Sequence, residues 1–208
     1  MEKTTNFLLT ISRQLGSGGA HIGQELAKRL DLFYADREII NQAAKQLSVV
    51  EEDLESREEK KVSFWQSFLQ SYTFNTLDTY IPPEIIIPTD LEVFNAEKAV
   101  IERIAKEKSA VIIGRCGSYI LRDHPNHLKV FFHSDIDFRK DRVQRGYNIT
   151  EKEAEKMIVN NDVERSRYFH TYTGEVWTDT RQYDLSINTS KIGLDKSVEL
   201  IAKYLESK

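Results

Sequence analysis

Short apolar runs alternate with helical stripes along the chain. Phe7 to Ile11 is an apolar run of strand length. After it Ile22, Leu26 and Leu30, with Ala27 beside them, recur at helical spacing. Asp36 marks the N-cap of a second helix carrying Ile39, Ile40, Ala43, Ala44 and Leu47. Ser48 to Lys61 is densely charged and reads as a solvated helix. Glu97 to Lys108 is helical again, with Val100, Ile101, Ile104 and Ala105 on its inner face. Ala110 to Ile113 is a continuous apolar run, as expected of a parallel strand covered on both faces. Leu128 to Phe132 and Asp184 to Asn188 are further strands, and Val198, Ile201, Ala202 and Leu205 mark a closing amphipathic helix. Ser134 with Asp137 and Thr150 with Glu153 have the spacing of helix starts, the second as a capping box. Strands alternating with helices predict an α/β fold, a mostly parallel sheet with helices on both faces, built as a single domain over 1–208.

Residues 62–95 depart from this rhythm. Phe64, Trp65, Phe68, Leu69, Tyr72, Phe74 and Leu77 form an aromatic stretch, and Pro82, Pro83 and Pro88 then interrupt any regular element. The stretch reads as an inserted subdomain or lid. Such a patch more often serves as local core or a homodimer surface than as a platform for bases.

Composition narrows the function classes. Charged residues make up 30% of the 208, and the net charge is −4. That balance argues against a general nucleic-acid or membrane surface. The first residues have no apolar core of signal-peptide type, and no run is long enough to span a bilayer, so a cytoplasmic protein is expected. Cys116 is the only cysteine, which excludes an intramolecular disulfide, and no histidine is tied to it as a base. His21, His124, His127, His133 and His170 lack metal-ligand spacing and read as surface or loop residues.

The chemistry concentrates between the first strand and the first helix, at Gly16-Ser17-Gly18-Gly19-Ala20. A glycine-rich turn there presents consecutive backbone N–H groups at a helix N-terminus, which favours phosphate. The Walker A pattern places lysine and then a hydroxyl after its last glycine. Here Gly19 and Ala20 hold those positions, and Arg13 stands where the first glycine belongs. A bland αβ turn explains the glycines about as well. Gly114-Arg115 closes another strand at the same edge, where ligands of parallel sheets bind. Arg139, Arg142 and Arg145 are spaced three apart, and Arg165 and Arg167 follow Asp162 and Glu164. Guanidinium forks suit phosphoryl transfer because charge spreads over the equatorial oxygens.

Ser12-Arg13-x-x-Gly16-Ser17-Gly18-Gly19, Phe33-Tyr34-x-Asp36-Arg37-Glu38, Ile112-Ile113-Gly114-Arg115 and Tyr183-Asp184-Leu185-x-Ile187-Asn188-Thr189-Ser190 together resemble the cytidylate kinase-like proteins. The resemblance covers nearly the whole chain and is weakest over 55–95. It implies a three-layer fold of the P-loop NTPase type and phosphoryl transfer from ATP, with Mg²⁺, to a nucleoside monophosphate such as CMP or another small acceptor. By it, Gly16, Ser17, Gly18, Gly19 and the following Ala20 cradle ATP, and Arg115 holds the acceptor phosphate. Cys116 replaces an aspartate usual after that arginine. Arg139 and Arg142 frame the adenine and the lid, while Glu164 and Arg167, with Arg165, contact acceptor and transferring phosphate. Asp36 opens an acceptor-binding insertion over 36–98 and is counted with the substrate-binding residues; 146–178 is the lid. Arg13 or Arg167 is expected to replace the missing lysine. With Ala20 in place of a hydroxyl, Mg²⁺ is expected on nucleotide oxygens and water, with Ser17 nearby. Tyr168, Tyr172 and Trp177 are expected to pack the lid on itself.

Three readings follow. The arginine set favours a kinase, the missing lysine favours a nucleotide-binding sensor or regulatory protein, and the aromatic insertion suits a structural interaction module.

Overall fold

The computed structural model describes residues 6–52 and 91–206. Of the aromatic stretch at 62–95, expected as a dimer surface, residues 62–90 lie outside the described residues.

Five parallel strands make one sheet. They are β1 (Leu8–Arg13), β2 (Phe33–Ala35), β3 (Ala110–Ile113), β4 (His127–His133) and β5 (Leu185–Asn188), in the order β2-β3-β1-β4-β5. The helices are α1 (Gly19–Arg29), α2 (Arg37–Glu52), α3 (Leu91–Glu107), α4 (Gly117–Ile120), α5 (Ile136–Tyr147), α6 (Glu151–Thr173), α7 (Thr189–Ile192) and α8 (Leu194–Glu206). A short 3-10 turn, Thr180–Gln182, precedes β5.

β1 lies at the centre, in register with Ala110 to Ile113 on one side and His127 to Phe132 on the other. Successive side chains of a strand point to opposite faces. Leu8, Ala110 and Ile112 therefore meet Ile40, Ala43, Ile101 and Ile104 beneath α2 and α3. Leu9, Ile11, Val111 and Ile113 meet Ile22, Leu26 and Ile201 beneath α1 and α8. This double burial explains why the strands read as unbroken apolar runs. The ends of β1 and β3 put the glycine turn and Gly114-Arg115 side by side at one edge.

Caps locate the helices around that edge. The Asp36 carboxylate accepts from Glu38 N at 3.0 Å and Ile39 N at 3.1 Å, as expected of an N-cap. The Thr150–Glu153 capping box is present in both directions. The Ser134 start is displaced: Asp135 is the N-cap of α5, and the buried Ser134 hydroxyl instead pairs with Thr189 at 2.6 Å. A buried hydroxyl needs a partner more than an exposed helix end needs a cap.

The 146–178 segment packs partly on itself, with the Tyr168 and Tyr172 rings 4.9 Å apart, but its aromatics also reach beyond it. Phe94 of α3 stacks on Tyr172 at 4.1 Å, and Trp177 meets Phe131 of β4 edge-on at 5.5 Å. The same aromatic cluster includes Phe169 and Tyr183, so α6 is fastened to the sheet near its C-terminal end. No described helix is long and apolar enough to cross a membrane.

His127 is neither a surface nor a loop residue. It begins β4, its Nδ1–H donates to Leu121 O at 2.9 Å, and the nearly buried Thr10 hydroxyl donates to Nε2 at 2.7 Å. Burial above all pulls its pKa down from 6.5 to about 4, against the Leu121 bond. As pH falls from 6.5 toward 4 the unfolded chain takes up a proton that the native ring refuses, so stability is lost over that window. The stability advantage of the wild type over His127→Gln is expected to be full above pH 6.5. It should shrink by about 2–3 kcal/mol by pH 4, read by urea unfolding across pH.

Candidate functional site

The turn between β1 and α1 is built from the inside. Gln14 N donates to Phe132 O at 3.0 Å and the Gln14 side chain accepts from Ser134 N at 3.3 Å, holding the turn to β4. The Ser17 hydroxyl donates to Gln14 O at 2.8 Å, and Thr189 donates to Ser17 O at 2.7 Å. Gly16 and Gly18 both have φ of +81°, where a side chain is strained. A Cβ on Gly16 would stand 2.8 Å from Arg139 O, and one on Gly18 would stand 2.5 Å from a Leu194 methyl. These glycines therefore serve close approach as well as conformation. The expected proximity of the Ser17 hydroxyl to an ion is corrected here. Ser17 is wholly buried and its hydroxyl is spent on the turn itself.

Above the turn lies a cavity of about 280 Å³, lined by Gly16, Gly18, Gly19 and Ala20 with Asp36 and Arg142. A neighbouring cavity of about 90 Å³ is lined by Arg115, Glu164, Tyr168 and Trp177. Arg13, Arg37, Ile113, Asn161 and Arg165 border both, so the two spaces share one wall. Three of its five side chains are guanidinium groups. Asn161 is 8% exposed and its Oδ1 has no hydrogen-bond partner among the described residues. The Arg142 Nε is likewise buried without one. Unpaired buried polar atoms cost about 1–3 kcal/mol each and tend to mark places where a ligand or water completes the bonding.

Arg115 sits in a cage. Its guanidinium donates to Asn41 at 2.8 Å, pairs with Glu97 at 3.2 Å and lies 5.2 Å from the Tyr168 ring centre. The Tyr168 hydroxyl donates to the other Glu97 oxygen at 2.7 Å. Burial raises the Glu97 pKa, and Arg115, Tyr168 and Arg37 oppose that rise. Burial also lowers the pKa of Arg37, with repulsion from Arg115 adding to it. For Arg165 burial again comes first, then repulsion from Arg13, and its pKa falls well below the usual range. All three shifts are led by burial; for Arg37 and Arg165 the neighbouring guanidinium groups add to it, a repulsion that a bound anion would relieve. Cys116, beside Arg115, is pushed up to about 12 by burial and is no nucleophile.

The other sequence candidates separate. Arg139 is 5% exposed and lines neither cavity. Its Nε donates to Leu15 O at 2.7 Å and its Nη2 to Asp162 at 2.5 Å, so it braces the glycine turn from behind. Leu15 N closes the triangle by donating to Asp162 at 3.2 Å. Arg145 is exposed and pairs with Asp141 on its own helix. Arg165 donates to Arg13 O at 2.5 Å. Arg167 is exposed and borders neither cavity.

Asn161, Glu97 and Asn41 line or brace these cavities and were not singled out from the sequence; Arg37 was quoted only within a motif, and Tyr168 only as a residue packing the lid. For two of them a signal existed. Glu97 stands three, four and seven residues before Val100, Ile101 and Ile104, so a carboxylate occupies the apolar stripe of α3. Asn161 lies on the same stripe of α6 as Ala154, Ile158 and Phe169. No group of three metal-ligating side chains occurs among the described residues.

With this geometry in view, the relatives are informative. The model of the cytidylate kinase-like family matches residues 8–191. The chain belongs to that family. Among its relatives, a cytidylate kinase from Sulfurisphaera tokodaii is 30% identical over 118 residues, 55% of this chain and 65% of that protein. One from Saccharolobus islandicus is 25% identical over 111 residues, 53% of this chain and 58% of that protein. This family member thus spans less than two thirds of the length of the curated relatives it matches. A crystal structure of an uncharacterized protein from Eubacterium ventriosum superposes with a TM-score of 0.73 at 25% identity, covering 98% of this chain and all of that one. Shikimate kinase from Acinetobacter baumannii shares the fold, at a TM-score of 0.52 and 13% identity, over 98% of this chain and 94% of that one. The sheet is therefore that of P-loop kinases.

The Arg139 brace predicts a stability effect. Asp162→Ala leaves a buried guanidinium with a single acceptor and is expected to cost about 2–4 kcal/mol in denaturant unfolding. An Arg142→Ala change, at a cavity wall, should cost less than about 1 kcal/mol in the same measurement.

Proposed function

We propose that this protein transfers the terminal phosphoryl group of ATP to a small phosphate-bearing acceptor of the nucleoside monophosphate class. The observation that carries the reading is the pair of adjoining cavities. One opens on the glycine turn, the other on Arg115, and arginines form the wall between them.

In this reading the amides of Gly16, Gly18 and Gly19 and the N-terminus of α1 receive the donor phosphates. Arg142 flanks them, and Arg115, held in place by Glu97 and Asn41, takes the acceptor anion. An oxygen of the acceptor phosphate attacks the terminal phosphorus and the bond to the bridging oxygen breaks, leaving ADP. An ionised phosphate needs no general base, so positioning and charge carry the catalysis. Arg165 and Arg37, on the shared wall, face the charge that develops between the two spaces. Arg139 acts through the turn it braces. The 36–98 stretch serves as the acceptor-binding segment and 146–178 as the lid. The described residues build no side-chain cage for Mg²⁺, so the ion is proposed to arrive with the nucleotide and to keep its remaining ligands as water.

A second reading, a nucleotide-binding sensor without efficient turnover, is favoured by Gly19 in place of lysine. One experiment separates the two. Thermal unfolding is followed with ATP and with each nucleoside monophosphate, and ADP formation is followed with both together. Ligands that bind only the folded state raise the midpoint. ATP and one monophosphate are each expected to raise it, and ADP should form only when both are present. Stabilisation without product selects the sensor, and no response to any nucleotide overturns both.

A further inference from the structure

The P-loop pattern places a lysine at position 19 to reach the reacting phosphates. The structure explains why none stands there. A Cβ on Gly19 would lie 2.7 Å from the Cβ and 3.2 Å from the Cγ of Arg13, and 3.1 Å from the Phe132 ring. The Arg13 stem therefore occupies the volume from which a side chain at 19 would have to leave the helix. The other end of the same side chain rests against Gly114. A Cβ added there would collide with Arg13 Nη1, and Gly114 also has φ of +73°. Arg13 thus runs from the N-terminus of α1 to the residue before Arg115, with a glycine under each end. The residue borders both cavities. Its main-chain oxygen accepts from Arg165 at 2.5 Å, which fixes the end of β1 and sets a second guanidinium beside the first.

Resting on the kinase reading above, we propose that Arg13 is the catalytic cation on the transferring phosphoryl group. Gly19 and Gly114 are the clearances that its stem and head require. The charge reaches the phosphates from the end of the central strand rather than from the first turn of the helix. It ends on the wall between donor and acceptor, and its planar fork can donate two parallel N–H bonds to one phosphate. Of the two arginines that the sequence left as candidates for this role, Arg167 is exposed and borders neither cavity, whereas Arg13 borders both. Positions 13, 19 and 114 act as one device: an arginine at 13 excludes a lysine at 19, and the reverse holds as well.

The test is a charge transplant in the full-length protein, with turnover measured at saturating ATP and acceptor. Arg13→Gln keeps the stem over Gly19 and removes the charge. It should fold with the wild-type unfolding midpoint, still be stabilised by ATP, and lose roughly 10²–10³-fold in kcat. Gly19→Lys alone should lose activity because the new side chain has no room. The double variant Arg13→Gly with Gly19→Lys frees that room and returns a cation. It should exceed Arg13→Gln in kcat by at least about tenfold. Should that double variant unfold, Arg13→Gly assayed with added guanidinium ion replaces it, with recovery of turnover expected. Wild-type turnover in Arg13→Gln overturns the assignment and leaves the kinase reading standing. So does a folded double variant no faster than Arg13→Gln, or, where the double variant unfolds, Arg13→Gly that guanidinium does not revive. Absence of turnover in the wild type overturns the kinase reading and the assignment with it.

Discussion

Four guanidinium groups are gathered at one edge of the sheet, and the fold around them is built to keep them there. Arg13, Arg37 and Arg165 share one wall at the carboxyl edge of the sheet, with Arg115 just behind it. Acids stand among them: Glu164 borders one cavity, and Asp36 and Glu38 border the other. Glu97 is committed to Arg115 and Tyr168, and Asp162 to Arg139 and the Leu15 amide. Guanidinium groups do not discharge to escape repulsion, so their charges stay where they are gathered. Much of the surrounding architecture holds these cations in place.

That holding is done from behind the site. β1 lies between two strands and under helices on both faces, so its end cannot move without disturbing the core. The glycine turn is then secured by groups that point away from the cavity: the Ser17 hydroxyl, Thr189 and Arg139. Polar side chains that a motif search assigns to ligand are used here to fix the backbone that would meet it. The result is a turn whose amides are presented by a rigid frame, the condition under which backbone donors stabilise charge without reorganising.

The long helix α6 links the two sides. Its middle supplies Asp162 to the glycine turn, and Asn161 and Arg165 to the shared wall. Its C-terminal half carries Tyr168 to the Arg115 cage and Phe169 and Tyr172 to the aromatic cluster. A displacement of this one element would touch both cavities together. Membership of the cytidylate kinase-like family fits that economy. The departures at Gly19, Ala20 and Cys116 mark where this chain uses other side chains around the same sheet.

The order of the elements was legible in the residues themselves. Apolar runs and stripes placed β1, β3, β4, β5 and the long helices because burial on both faces of a parallel sheet leaves a local record in the chain. The three residues of β2 instead read as a connection and become a strand by pairing with β3. The glycine turn and Gly114-Arg115 were legible for the same reason, since backbone conformation and strand ends are local matters. Which arginine faces what was not. Residues three apart on a helix are offset by about 60° around its axis, and residues two apart by about 160°. Arg139 therefore goes beneath the turn, Arg142 to the cavity and Arg145 to solvent, and Arg165 and Arg167 part company. The partners that decide these roles are distant in the chain, as Leu15 is from Arg139 or Glu97 from Tyr168. Only the packing of one element on another brings such pairs within hydrogen-bonding reach, and a linear pattern holds no trace of that distance.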